Sequence, residues 1–317
     1  MKKFYFALIF FFIVCAGYSQ TDPLPSWNNG HLKTSIMEFV NRVTDTGSQD
    51  FIPEEERIAT FDNDGTLWPE MPVIQGLFLI DQLKKMISVN PSLTDNPLIK
   101  AVIDKDKEYF AEDPETKLME LLVITMTNMD EMEFEKSAVE FFKTAVYPKF
   151  NKPVTELAYK PQTELLAYLR ANGFKTYICS GGTIEFMRQI SEQMYGIPRN
   201  QVIGSSFKYR YTGLDSNYIF REEEINSICD KEGKPVNIQL FIGKRPVFVA
   251  GNVRSGGDVA MMRFSQGNKY PNFQILVNHD DAVREFEYSE PDNYSLNMAK
   301  KYGFNVVSMK NDWNRIF

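Results

Sequence analysis

Apolar residues in this 317-residue chain follow two alternating rhythms, one helical and one of short unbroken runs. After Pro25, Leu32, Ile36, Phe39, Val40 and Val43 recur at three- and four-residue spacing, which predicts an amphipathic helix ended by Gly47 and Ser48. Arg57-Ile58-Ala59-Thr60-Phe61 then reads as a short buried strand that stops at the turn Asp62-Asn63-Asp64-Gly65. Residues 72–153 are helical in pattern, with no strong strand signal. Leu77, Ile80, Leu83, Met86 and Ile87 form one stripe, and Leu118, Leu121, Leu122 and Thr125 a second. Phe134, Ala138, Phe141, Phe142 and Ala145 form a third. Met119, Met126, Met129 and Met132 read as core packing rather than a ligand cage.

Beyond this region, Leu165, Leu166 and Leu169 mark a helix closed by Asn172-Gly173. Residues 175–179 predict a buried strand running into Ser180-Gly181-Gly182, and a helix through Phe186, Ile190 and Met194 stops near Gly196. Residues 207–220, with Gly213 inside, predict a β-hairpin, and 246–250, 273–277 and 305–309 predict further strands. Strands alternating with helices imply an α/β fold, a doubly wound, mostly parallel sheet with a Rossmann-like core. The helical stretch is then a cap inserted after the first core strand. The divisions are a leader over 1–19, the N-terminal helix and first part of the core over 20–70, the cap over 71–155, and the remainder of the core over 156–317.

The leader follows from Lys2 and Lys3, the apolar run over 4–17 and the polar stretch over 18–20, together a secretory signal peptide. Cleavage after Ser19 leaves Gln20 first and places the protein in the periplasm or outside the cell. The run is too short for a comfortable spanning helix, so no stable membrane insertion is expected after cleavage. Removing these nineteen residues takes away two lysines and no acid, leaving 33 basic against 42 acidic residues and a formal charge of −9. That balance argues against nucleic acid or an anionic membrane as the main partner. Cys179 and Cys229 remain, and Cys179 lies in an apolar run, so a buried thiol is expected rather than a disulfide. With His31 and His279 the only histidines, a Ser-His-Asp triad or a His-rich zinc site finds no recognisable context. His279, at a strand end, reads as structural.

Three polar, glycine-containing loops follow three apolar strands: 62–66, 180–183 and 252–258. Parallel sheets bind ligands outside the carboxyl ends of their strands, so these loops predict one site. Asp62 and Asp64, one residue apart on a turn freed by Gly65, can face one point. A carboxylate that attacks phosphorus needs its like charges offset, which calls for Mg²⁺, and a second acid can protonate the leaving oxygen and then activate water. A helix–loop–helix calcium site fails, because Thr66, Leu67 and Trp68 stand where further oxygen ligands are needed.

The phrase Ile58-Ala59-Thr60-Phe61-Asp62-Asn63-Asp64-Gly65-Thr66-Leu67 resembles the first motif of the haloacid dehalogenase superfamily. Ser180-Gly181-Gly182 resembles its second motif in the phosphoserine-phosphatase-like form, and Gly251-Asn252 with Asp258 resembles its fourth. The resemblance runs from about residue 58 to 262. It implies Asp62 as nucleophile, Asp64 as general acid and base, Ser180 and Gly181 on the phosphoryl oxygens, and Asp62, Asp64, Asn252 and Asp258 around Mg²⁺. The lone lysine of the third motif is either Lys234, which opens a helical run over 235–241, or Lys244, just before the next strand. Asn252 replaces an acid and residues 253–257 lengthen the loop, so either Asn252 or Asp258 is the direct metal ligand. Thr66, Trp68 and Glu70 are expected beside the substrate, with Trp68 either meeting a cationic head group or packing a hinge. The function so implied is Mg²⁺-dependent hydrolysis of a small phosphorylated metabolite through a phospho-aspartate. A phosphomutase of the same superfamily, or a catalytically weak binding protein that kept the fold, are the alternatives.

Overall fold

The computed structural model describes residues 22–254 and 256–317, so the predicted leader with its cleavage site, and Ser255 in the lengthened loop, lie outside the described residues. Helix α1 (His31–Thr44) buries Leu32, Ile36, Phe39, Val40 and Val43, the predicted stripe. It lies on the sheet, with the Phe39 ring 6.2 Å from that of Phe248 and 5.3 Å from that of Phe273. Strand β1 (Ile58–Phe61) is buried at every position, as expected of a strand covered on both faces.

The chain then leaves the core through α2 (Ile74–Val89), α3 (Pro97–Asp104), α4 (Lys107–Ala111), α5 (Pro114–Met126), β2 (Met129–Asp130) and α6 (Glu131–Thr144). It returns through the small ladder β3 (Val146–Tyr147) with β4 (Lys152–Pro153), then α7 (Lys160–Ala171) and β5 (Lys175–Thr183). After α8 (Ile184–Arg188) and α9 (Ser191–Tyr195) come β6 (Val202–Tyr211), β7 (Ile219–Ser227), α10 (Gly233–Phe241) and β8 (Phe248–Asn252). The last elements are α11 (Val259–Gln266), β9 (Phe273–Asn278), α12 (Tyr294–Tyr302), β10 (Asn305–Ser308) and α13 (Met309–Asp312).

Among the described residues, eight strands form one sheet in the order β10-β9-β8-β1-β5-β6-β7-β2. Its first six are parallel, and β7 and β2 add antiparallel pairs. The chain winds to one side of β1 through β5 and β6 and to the other through β8, β9 and β10. The doubly wound α/β core with a cap after its first strand is therefore present. The sheet's reversal point falls at β1, where open parallel sheets bind ligands in the crevice beyond their strands' carboxyl ends.

Three details depart from the sequence pattern. The stretch over 72–153 is not purely helical: β2 pairs with β7, tying the cap to a hairpin that grows out of core strand β6. On α2 the buried face is Ile74, Gln75, Phe78, Leu79 and Leu83, while Ile80 is exposed. Leu77 to Ile80 are apolar around nearly the whole circumference, so periodicity could not select the face. Contact does: Phe78 packs against Phe134, Phe141 and Phe186. Met132 is exposed rather than core. No helix of the described residues is long and apolar enough to cross a membrane.

Candidate active site

β1 lies between β5 and β8, so the carboxyl ends of these strands are neighbours at one edge of the sheet; residues 180–183, expected as a loop, are the irregular last part of β5, and Asn252 is the last residue of β8. Asp62, Asp64, Ser180, Gly181, Lys234, Asn252 and Asp258 all line one cavity there, of about 640 Å³. The first loop is a single tight turn in which the N–H groups of Thr66 and Leu67 donate to the Asn63 carbonyl. Gly65 turns the chain with φ +73°, and a Cβ there would stand 1.9 Å from Asn252 Nδ2. Only glycine lets the β1 and β8 loops approach so closely. Gly251 serves the same purpose, since a Cβ there would sit 2.5 Å from the Asp258 carboxylate.

Lys234, in the first turn of α10, is 2% exposed and donates to Asp62 Oδ1 at 2.6 Å and to Asp258 Oδ1 at 2.5 Å. Burial opposes its charge, but Asp258 and Asp62 hold the ammonium well above the usual lysine value. Lys244, the other candidate, is not at the site. Its Nζ donates to the Glu55 carbonyl and to Glu56 Oε1, at 2.8 and 3.1 Å. A residue that precedes a parallel strand lies at the amino edge, opposite the loops that follow it.

Burial first, and then the negative charge of Asp258, push the Asp62 carboxyl well above the ordinary range, against the pull of Lys234. Burial pushes Asp64 up to about 6, with Glu70 adding to the shift and the Trp68 indole, Arg254 and Lys234 opposing it. The Trp68 indole N–H donates to Asp64 Oδ1 at 2.9 Å, and the ring is buried between Phe142 and Tyr195. Trp68 thus supports Asp64 and does not line the cavity. Thr66 is fully buried, its hydroxyl 3.5 Å from Asp62 Oδ2. Glu70 lines the cavity, but its carboxylate accepts from Asn252 Nδ2 at 2.6 Å and Tyr288 Oη at 2.5 Å and pairs with Arg254 at 2.9 Å. It anchors the β8 loop.

Ser180 Oγ accepts the Gly182 N–H at 3.1 Å, and Asp258 Oδ2 accepts the Asn252 N–H at 2.9 Å. Cys179 and Cys229 are buried thiols with Sγ atoms 3.7 Å apart. Two supports were not evident in the sequence. Gln75 on α2 donates to Thr183 Oγ1 at 2.8 Å and accepts the Thr183 N–H at 2.9 Å, joining the cap to the Ser180 segment. His279, just past β9, is 1% exposed and its Nε2 donates to the Gly65 carbonyl at 2.7 Å. Its Nδ1 meets Glu285 Oε2 at 3.0 Å, and Tyr159 Oη donates to Glu285 Oε1 at 2.9 Å. The strand-end rule that marked the three loops also marks His279.

A family model for haloacid dehalogenase-like hydrolases matches residues 59–263, well over half of the chain. The chain belongs to this family. The fold is similar to that of a Bordetella pertussis Tohama I protein of unknown function, with a TM-score of 0.51 and 16% identity over 80% of this chain and 98% of the other. A functionally unknown protein of Anaerococcus prevotii DSM 20548 gives a TM-score of 0.51 and 13% identity, covering 87% of this chain and 91% of its own. A phosphoserine phosphohydrolase-like protein of Francisella tularensis gives 0.44 and 18%, covering 79% and 94%. A search of curated proteins by sequence finds no match.

This hydrolase's donors around Asp62 are oxygens alone: Asp62, Asp64 and Asp258 carboxylates and the Asn252 amide. Among the described residues no three His, Cys, Asp or Glu side chains form a ready-made cage. Mg²⁺ needs only one or two protein carboxylates and keeps several waters, so a set of few hard oxygen donors fits it.

Proposed function

We propose that the protein is an exported, Mg²⁺-dependent phosphomonoesterase that works through a phosphoryl group carried on Asp62. The observation that supports this most is the meeting of Asp62, Asp64, Ser180, Lys234 and Asp258 in one cavity at the reversal point of the sheet. Asp62, Asp64, Asn252 and Asp258 would hold the Mg²⁺, which when bound offsets the negative charges of phosphate and nucleophile.

An Asp62 carboxylate oxygen attacks phosphorus, the bond from phosphorus to the ester oxygen breaks, and Asp64 gives its proton to the departing alkoxide. Asp64, now ionised, takes a proton from water. The resulting hydroxide attacks the phospho-aspartate, releasing inorganic phosphate and restoring Asp62. Ser180 Oγ and the Lys234 ammonium stabilise the phosphoryl oxygens as charge develops on them. Lys234 already bridges Asp62 and Asp258, so it also fixes the direction of the nucleophile.

Hydrolysis of an aryl phosphate is expected to require Mg²⁺, to stop with chelator, and to fall by at least about a thousandfold in Asp62→Asn with circular dichroism unchanged. A rate indifferent to metal, or an active Asp62→Asn, overturns the reading. Export is supported by the basic start and apolar run of residues 2–17. N-terminal sequencing of protein recovered outside the cytoplasm is expected to begin at Gln20; an intact Met1 contradicts it.

A further inference from the structure

The cavity around Asp62 continues well beyond the room a phosphate needs. Its outer wall is apolar, built from Leu79 on α2, Leu118, Met119 and Leu122 on α5, and Phe207 and Ile225 on the hairpin. A second hollow of about 290 Å³ follows between α2, α3 and α5, reaching Leu83, Val102, Phe110 and Leu121. The two share Gly76, Leu79 and Leu118, so they adjoin along α2 and α5. Lys105 is the one charged residue lining the second hollow. Among the described residues, the cap segment over 71–155 contributes no charged side chain to the first cavity, and its one polar side chain, Gln75, is committed to Thr183. Asp230, Lys231, Glu232 and Arg254 line the same cavity from the core side. On the cap wall, where the chain of a leaving group would lie, an amine or a carboxylate finds no partner. Burying it there without one is costly.

Gly76, in the first turn of α2, lines both hollows. Glycine inside a helix is disfavoured against alanine, so its presence needs a reason. Its φ is not positive, and a Cβ built on it meets no heavy atom within 4 Å. Neither backbone conformation nor packing calls for glycine here. A side chain at this position would instead take up open space beside the two hollows.

We infer that the substrate is a phosphate monoester of a long, uncharged, apolar alcohol. Its phosphate sits at Asp62 and its chain passes Gly76 into the groove between α2, α3 and α5. This rests on the phosphomonoesterase reading above and names its substrate class. The bonds made and broken are those already given, with the apolar alcohol as leaving group. Gly76 sets the admissible chain.

The test measures kcat/KM with Mg²⁺ for n-alkyl phosphates from ethyl to decyl, each below its micelle concentration, beside phosphoserine and phosphocholine. Burial of each methylene is expected to raise kcat/KM about fourfold until the groove is filled. In Gly76→Leu the decyl-to-ethyl ratio is expected to fall at least tenfold, with Gly76→Ala between it and wild type. Thermal melting checks that both variants fold. Citronellyl phosphate in the same series separates an isoprenoid source from a straight-chain lipid source, and a preference for either over ethyl phosphate supports the inference. A flat series, or preference for phosphoserine or phosphocholine over every chain, overturns it while leaving the phosphomonoesterase reading in place. A length dependence that Gly76→Leu does not change overturns the assigned path. No hydrolysis of any ester overturns both readings together.

Discussion

Asp62 and Asp64 are separated by Asn63 alone, the first buried and the second half-buried, and different neighbours hold them. Lys234 donates to Asp62, and the neutral indole of Trp68 donates to Asp64. Burial raises both carboxyls, but Asp62 is held by the Lys234 ammonium, whereas Asp64, pushed up to about 6, faces no cation at hydrogen-bond distance and has a proton to give near neutrality. Two carboxylates in unlike environments can divide acid and nucleophile roles in this way. Asp64→Asn is expected to slow hydrolysis of an alkyl phosphate by about 10²–10⁴-fold, and that of nitrophenyl phosphate much less, because nitrophenolate leaves without a proton. Equal losses on both substrates would contradict the assignment. At this scale the nucleophile loop was legible, since an apolar run ending in Asp-x-Asp-Gly states its own geometry. The choice between Lys234 and Lys244 was not settled by local sequence, because both adjoin a glycine. Strand direction separates them: Lys234 follows the β6–β7 hairpin at the carboxyl edge, and Lys244 precedes β8 at the other. For Trp68, near the acidic Glu70, the sequence leaves open a contact with a cationic head group or a packed hinge. Its indole instead turns inward to Asp64, a direction that spacing does not encode.

The elements that carry the site are braced by others distant in sequence. β9 brings His279 beneath the first loop, where Nε2 holds the Gly65 carbonyl and Tyr288 stacks on the imidazole at 4.2 Å. His279→Phe removes the donor to Gly65 and leaves Glu285 with one partner fewer in a buried setting. A fall in kcat of about 10–100-fold is expected, with His279→Gln retaining more because its amide can still donate. Wild-type kcat in His279→Phe would show that the loop holds without this brace. Helix α2 plays the corresponding part from the cap side through Gln75 and Thr183. The sequence marked α1 and α6 well, since each carries a single apolar stripe between polar faces. It marked α2 poorly, since Leu77-Phe78-Leu79-Ile80 offers no polar side against which to orient. β2 is two residues long and pairs only through β7, so no local rhythm could announce it.

Across the whole molecule, the order of strands turns three separated segments into one site. Residues 62, 180 and 252 are far apart in the chain, but β1, β5 and β8 are adjacent, and a strand spacing of about 4.8 Å brings their ends together. That convergence was readable as a rule about parallel sheets, and the α/β class was readable from the alternation of runs and stripes. The shape of the cap cavity was not, because it depends on which faces of α2 and α5 oppose the hairpin. In the proposed function a carboxylate of the chain itself carries the phosphoryl group between two half-reactions. That step is tested most directly by quenching the Mg²⁺-loaded enzyme in acid during turnover and mapping phosphorylated peptides by mass spectrometry. A phosphoryl group on Asp62, absent in Asp62→Asn and accumulated in Asp64→Asn where a good leaving group is supplied, is the expected result. Turnover with no phosphorylated peptide at any time, together with net inversion at phosphorus when an ester with isotopically chiral phosphorus is hydrolysed, would contradict it.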